Sequence, residues 1–150
     1  MEDQLVTFET AVLAREKGFD IHCDNRFDEQ TKEVINFKDF IVKNFISRDP
    51  AYYYHYIDSL KEGYNDKFLN DDKGFYLSIP TQSLLQRWLR EKHKIDIHVD
   101  PFQEGNDGKV FYVGFWSDDT SEEAEIKDED YKETYEEALE SVLQEVLELI

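Results

Sequence analysis

The sequence predicts one α+β domain over residues 1–150, in which a small, mostly antiparallel sheet packs against helices. Three observations predict it. The last seventeen residues carry a continuous apolar stripe at helical spacing, Ile95 to Asp100 alternates apolar with polar residues, and Lys109 to Trp116 is dense in β-branched and aromatic residues. At 150 residues the chain has the length of one domain and contains no internal repeat or low-complexity linker that would divide it.

The first predicted helix spans Thr7 to Lys17. Thr7 is a capping residue, and Gly18 suits the left-handed conformation that follows a helix. Its apolar stripe consists of Phe8, Ala11 and Val12. Residues 19–27 and 33–35 are short segments around a polar turn, and we expect them to pair as a hairpin.

Asn36 is predicted to cap a second helix that continues to about Ser47, before Pro50. Its buried positions would be Phe37, Phe40, Ile41 and Phe45. A short third helix is predicted within residues 51–70, followed by a turn at 70–74. The apolar positions of that helix would be Tyr53, Tyr56, Ile57 and Leu60.

The second half begins with a predicted strand from Phe75 to Ile79. A helix then starts at Pro80 and Thr81 and ends near His93, with Leu84, Leu85, Trp88 and Leu89 as its buried stripe. The alternating segment from 95 to 100 predicts a strand that ends at Pro101, and turn residues 106–108 join it to the strand at 109–116. We expect these three strands to form one sheet with 95–100 in its middle.

Residues 118–130 have almost no apolar side chains and are predicted to be a flexible acidic connector. Thr134 and Glu137 then form a Ser/Thr-x-x-Glu capping box. The helix that follows has an apolar stripe over four turns, and we expect this long amphipathic C-terminal helix to dock on the sheet.

The net charge of −18 disfavours several kinds of partner. Residues 118–150 contain fourteen Asp or Glu against two Lys and so carry −12 of it. Such a field repels phosphate backbones and anionic lipid, which disfavours direct nucleic-acid and membrane binding. The single cysteine, Cys23, and the acidic N-terminal residues, which do not resemble a signal peptide, predict a cytoplasmic protein.

Three segments resemble one family: FETAVLAREKGFD at 8–20, PTQSLLQRWLREKHKIDIHV at 80–99 and TYEEALESVLQEVLELI at 134–150. The family is an uncharacterised one of small proteins from Bacteroides-type gut bacteria and their phages and mobile elements, with PTQxLLxxWLRExHxI and C-terminal TYEEALExxLxEALxLI patterns. Its members have no assigned activity. The resemblance therefore implies a lineage rather than a function. Lys92, Ser141, Val142 and Glu148 depart from the family pattern.

Asp96, His98 and Asp100 share one face of a predicted strand, where an Asp-His-Asp row can bind a metal or transfer protons. The solvated face of an antiparallel sheet has the same pattern, which is the preferred interpretation. His22, Cys23 and Asp24 contain residue types used in catalysis, but neighbours in a strand point to opposite faces, so Cys23 is expected to be a buried apolar residue. No cofactor motif is found, and neither metal ligands nor catalytic residues are assigned.

Two charged surfaces have alternative interpretations. Arg87, Arg90 and Lys94 form a basic stripe on the Trp88 helix, for which pairing with nearby acids is preferred over nucleic-acid contact. The acidic C-terminal segment is either a solvated face or a mimic of DNA phosphates, as in phage-borne inhibitors. The carboxylates that would carry such mimicry are Glu136, Glu137 and Glu140.

Aromatic residues suggest a patch for a partner protein, although core packing explains most of them. They are Tyr52, Tyr53, Tyr54, Tyr56, Tyr64, Tyr112 and Trp116. The first functional hypothesis is a non-enzymatic accessory or regulatory protein of a phage or mobile element that binds another protein. The alternatives are an acidic DNA-mimic inhibitor and an enzyme or metal site around Asp96, His98 and Asp100.

Overall fold

A computed structural model of the chain describes residues 3–21, 23–28, 31–36, 39, 76–103, 109–117, 123–125 and 131–150. The helices within these residues are α1 (Phe8–Glu16), α2 (Gln82–His93) and α3 (Tyr135–Leu149). The strands are β1 (Asn25–Asp28), β2 (Val34–Asn36), β3 (Tyr76–Ser78), β4 (Ile95–Gln103), β5 (Lys109–Ser117) and β6 (Glu123–Glu125). The predicted α+β class is confirmed. None of the described helices combines the length and apolar character needed to cross a membrane.

The described strands form two antiparallel sheets, in the orders β2-β1-β3 and β4-β5-β6. The expectation of one sheet containing residues 75–79, 95–100 and 109–116 is therefore wrong. β3 pairs with β1, where Phe27 lies opposite Leu77 and both side chains are buried. The predicted hairpin between residues 19–27 and 33–35 is present as β1 and β2. β1 is shorter than predicted, and β2 has the predicted length but is shifted by one residue.

β4 and β5 form the predicted hairpin, but β5 rather than β4 is the middle strand of this sheet. β4 also continues past Pro101, which corrects the prediction that this proline ends the strand. Among the described strands β4 has only β5 as a neighbour, and proline is compatible with an edge strand because its missing N–H need not meet a partner. The Gln86 amide donates to the Ile97 carbonyl at 2.9 Å and so occupies one acceptor of β4.

α1 begins and ends where the sequence predicts. The Thr7 side chain accepts a hydrogen bond from the Thr10 N–H, and Gly18 has a φ of 86°. The Phe19 N–H donates to the Ala14 carbonyl at 2.9 Å and the Gly18 N–H to the Arg15 carbonyl at 3.0 Å. These two bonds are the Schellman pattern, which satisfies carbonyls that the helix end leaves without partners.

α2 and α3 also begin with threonine caps. Thr81 accepts from the Leu84 N–H at 3.3 Å, and Thr134 accepts from the Glu137 N–H at 3.2 Å. The residue that follows α2, Lys94, is a non-glycine residue with a φ of 57°. This single left-handed residue turns the chain directly from α2 into β4.

α3 packs against α1, α2, β4 and β5, and α1 in turn contacts β3 of the other sheet. Six of the eight residues that the sequence places on the α3 stripe are buried: Ala138, Leu139, Val142, Leu143, Val146 and Leu147. The other two, Tyr135 and Ile150, lie at the two ends of the helix and are exposed. The six buried residues belong to one continuous core that includes buried side chains from both sheets. The predicted docking of the C-terminal helix on a sheet is therefore confirmed.

Several predicted segments lie partly or wholly outside the described residues. The Asn36 side chain accepts from the Asp39 N–H at 3.1 Å, as a helix cap would, but the rest of the helix predicted to Ser47 lies outside them. So does the short helix predicted within 51–70. Within the predicted connector 118–130, the described residues form β6, which pairs with β5.

Shortening a side chain in the α3 stripe should destabilise the whole protein. Leu143 is fully buried, so Leu143→Ala leaves a cavity and is expected to lower the free energy of unfolding by about 2–5 kcal/mol. Leu149 lies on the same helix but is 65% exposed, and Leu149→Ala should change stability by about 0.5 kcal/mol or less. Urea denaturation followed by circular dichroism measures both. Equal losses in the two variants would contradict the described packing of α3.

Candidate functional site

The β4–β5 hairpin presents one face to the core and one face outward. Ile97 and Val99 of β4 lie opposite Phe115 and Val113 of β5 on the core side. Because side chains alternate along a strand, the residues between them share the opposite side. We call this side the outer face; it consists of Asp96, His98, Asp100, Tyr112, Gly114 and Trp116. The structure thus brings together five of the residues that the sequence singles out.

Trp116 is the most prominent aromatic residue of the outer face. Its side chain is 54% exposed, and its register partner across the hairpin is Asp96. Asp96 and Asp100 are both exposed, and Asp100 lies opposite Tyr112, which is half-buried. The outer face therefore combines exposed carboxylates with a large, accessible indole.

Gly114 lies at the centre of the outer face, opposite His98. A Cβ atom at Gly114 would lie 2.5 Å from Nε2 and 2.7 Å from Cε1 of His98, so the imidazole lies directly over the glycine backbone. A glycine inside a strand is often a place where another group approaches closely. Gly114 was not predicted as a site residue, although an isolated glycine in a β-rich segment is a signal of such a close approach.

The spacing of Asp96, His98 and Asp100 does not favour a single metal ion. Residues two apart on a strand are separated by roughly 6.6 Å along it, so the two aspartates lie roughly 13 Å apart at their Cα atoms. Metal–oxygen distances of about 2.0–2.6 Å cannot span that separation. Within the described part of the chain no three His, Cys, Asp or Glu side chains form a cluster suited to a metal ion.

The basic stripe on α2 contacts groups of its own chain. Arg87 lies 3.8 Å from Glu91, and the Lys94 ammonium donates to the Glu91 carbonyl at 3.0 Å. Arg90 lies 3.7 Å from Asp96 of the outer face. All three residues are exposed, and surface ion pairs of this kind contribute only about 0–1 kcal/mol.

The three acidic candidates of α3 have different environments. Glu137 is exposed, Glu136 is half-buried, and Glu140 is half-buried with both carboxylate oxygens engaged. One oxygen accepts from the Thr7 N–H at 2.8 Å and from the Thr10 hydroxyl, and the other accepts from the Gln82 amide at 3.0 Å. Glu140 therefore links α3 to the first turns of α1 and α2.

Further side chains complete this polar junction between the three helices. Gln144 donates to the Thr10 hydroxyl at 2.9 Å, and Gln82 also donates to the Glu136 carbonyl at 3.0 Å. Thr10 and Gln82 are buried polar residues, so these partners replace the water that each loses. The Glu140 carboxylate also lies at the positive end of the α1 dipole. This junction was not predicted from the sequence, because only the fold brings its members together.

Cys23 is buried, as predicted, and its thiol lies 3.5 Å from the Ile21 carbonyl. Burial raises the pKa of the thiol to about 12, because the thiolate would lose its hydration; nearby Arg26 lowers it and Asp24 raises it further. The thiol is therefore protonated and unreactive at neutral pH. His22 lies outside the described residues, as do the five predicted aromatic candidates between 52 and 64.

His93 packs against the indole of Trp88, with ring centroids 4.6 Å apart. Its Nε2 atom is buried, and it has no hydrogen-bond partner among the described residues. Burial, and secondly the positive charge of Lys92, lowers the pKa of His93 below its ordinary value of 6.5. Both effects favour the neutral form of the imidazole.

An open depression of about 400 Å³ lies elsewhere, between the N-terminal segment and α2, lined by Asp3, Gln4, Leu5, Asn25 and Thr81. The Asp3 carboxylate accepts hydrogen bonds from Ser83 and Thr81. Burial raises the pKa of Asp3, but these hydrogen bonds together lower it by more, so the net shift of the pKa is downward. Five of the predicted site residues lie on the outer face, and none of the predicted site residues is among the described residues that line this depression. No family model, curated protein or solved structure matches the chain, so the geometry alone bears on function.

Removing the Glu140 carboxylate should loosen the junction between the helices. Glu140→Ala leaves the Thr7 N–H, the Thr10 hydroxyl and the Gln82 amide without this acceptor, and we expect a loss of about 1–3 kcal/mol in the free energy of unfolding. Glu145→Ala removes an exposed carboxylate from the same helix and serves as the control. Chemical denaturation of both variants measures the difference, and a control that loses as much as Glu140→Ala would refute the role of the junction.

His93 should make stability depend on pH. Its folded pKa lies below 6.5, so the unfolded chain binds the proton more readily and stability should fall as pH drops below 6.5. His93→Gln lacks this contribution. Lowering the pH from about 7.5 to about 5.5 should therefore reduce the unfolding free energy of the wild type more than that of the variant. A difference that does not change with pH would contradict the lowered pKa of His93.

Proposed function

We propose that the chain is a non-enzymatic accessory or regulatory protein that acts by binding another protein through the outer face. The observation that carries this proposal is the exposed indole of Trp116 beside the carboxylate of Asp96. Tryptophan is enriched among the residues that dominate binding energy at protein interfaces. Among the described residues with a large, exposed apolar side chain, Trp116 alone is a tryptophan.

The rigidity of the outer face supports the same proposal. Its residues stand on two long paired strands whose other side is packed against the core through Ile97, Val113 and Phe115. A preorganised surface loses little conformational entropy when it binds. The outer face therefore suits recognition better than a set of flexible side chains would.

The charge of the chain favours a protein partner over the alternatives. At −18 the chain repels nucleic acid and anionic membranes, whereas a basic protein surface is attracted to it. An acidic DNA mimic and an enzyme centred on Asp96, His98 and Asp100 remain predictions. We include in this proposal that the protein acts in a phage or mobile element, which only the sequence resemblance supports.

The test uses the full chain as bait, with lysate of a Bacteroides-type host as the source of partners. Trp116→Thr should abolish or strongly reduce capture of a specific partner, because it removes the exposed indole and keeps a residue that suits a strand. Val34→Thr is the matched control, since Val34 is 52% exposed on a strand of the other sheet. Mass spectrometry with isotope labelling quantifies the captured proteins.

Two results would overturn the proposal. In one, no protein is enriched by the wild type over Trp116→Thr. In the other, Val34→Thr reduces capture as much as Trp116→Thr does. The unfolding free energy of both variants, measured in parallel, separates lost binding from lost folding.

A further inference from the structure

We propose that the outer face takes an arginine side chain of its partner, with the guanidinium stacked on the Trp116 indole and donating to the Asp96 carboxylate. This inference rests on the proposed function, because it names the chemistry that the same face recognises. The partner that we expect has a basic segment with an exposed arginine.

The register of the hairpin sets the two groups side by side. Trp116 and Asp96 are direct partners across the antiparallel pair, and the Cβ atoms of such residues lie roughly 4.5–5.5 Å apart. A guanidinium carries its positive charge over a flat surface and its N–H donors around the edge. It can therefore lie flat on an indole while one edge meets an adjacent carboxylate. The Trp116 indole therefore complements the flat surface of the guanidinium, and the Asp96 carboxylate complements its N–H donors.

The chain already places a guanidinium at this carboxylate. Arg90 reaches from α2 to within 3.7 Å of one Asp96 oxygen, and the two side chains are 53% and 67% exposed. This distance is longer than a charge-assisted hydrogen bond of about 2.7–2.9 Å, so the pair is loose and Asp96 can accept better placed donors. Arg90 thus shows that a guanidinium can approach Asp96, at little cost if a partner replaces it.

Charge complementarity selects the occupant. The outer face adds Asp100 to Asp96, and the chain as a whole carries −18. A second copy of the chain would bring the same carboxylates against each other, which disfavours self-association through this face. Lysine carries the same charge as arginine, but its compact and strongly hydrated ammonium stacks less well on an indole. The face should therefore prefer arginine to lysine at equal charge.

The test uses the full chain and two synthetic probes, acetyl-Gly-Arg-Gly-Arg-Gly-amide and its lysine counterpart. The chain contains two tryptophans, Trp116 on the outer face and Trp88 in the core with 5% exposure. In NMR spectra of one sample, the indole N–H signal of Trp116 therefore reports binding at the outer face, and that of Trp88 serves as the control. The arginine peptide should shift the Trp116 signal with a Kd about two- to fivefold lower than that of the lysine peptide. The Trp88 signal should not shift.

A charge-matched pair of variants tests the carboxylate. Asp96→Asn should weaken binding of the arginine peptide about two- to fivefold. Glu9→Gln should not weaken it beyond the general effect of one charge, because Glu9 is an exposed residue of α1, whose main contacts are with β3 and α3.

Three results would overturn the inference: equal affinity for the two peptides, equal shifts of both indole signals, or equal effects of Asp96→Asn and Glu9→Gln. If capture of a partner depends on Trp116 and any of these results is obtained, the assignment of arginine is wrong and the binding face stands. If capture does not depend on Trp116, the proposed function itself is wrong.

Discussion

Burial of the α3 stripe is the interaction on which the rest of the structure depends, because α3 contacts α1, α2, β4 and β5. Hydrophobic burial is not directional, so it brings these elements together without fixing how they are aligned. The Glu140 junction supplies the alignment, since its hydrogen bonds require the first turns of α1 and α2 to meet one carboxylate. α3 keeps exposed Glu145 and Glu148 near its negative end, and the packing of its stripe outweighs that cost.

Local features of the sequence predicted the described helices well. Thr7 and Thr134 cap helices as expected, and Gly18 adopts the left-handed conformation. The helix expected to start at Pro80 and Thr81 begins at Gln82, with Thr81 as its cap. These positions could be predicted because capping depends on residues only a few positions apart. The β4–β5 hairpin was predictable for the same reason.

Contacts between distant segments were not predictable from the sequence. The pairing of β3 with β1 joins segments about fifty residues apart, and nothing in either short strand specifies its partner. The same holds for Glu140, which the sequence suggested as a surface carboxylate and the fold connects to Thr7 and Gln82. The outer face was predicted in part, since alternation identified Asp96 and its neighbours, whereas the approach of His98 to Gly114 required the register of the two strands.

Among the described strands β4 pairs on one side only, and this has a consequence for how the molecule behaves at high concentration. The edge of a nine-residue strand is a template on which further chains can add and grow into fibrils. Here Pro101 offers no N–H, Gln86 occupies the Ile97 carbonyl, and Asp96 and Asp100 would repel their counterparts on an incoming copy. The hairpin can therefore present a binding face without polymerising along its edge.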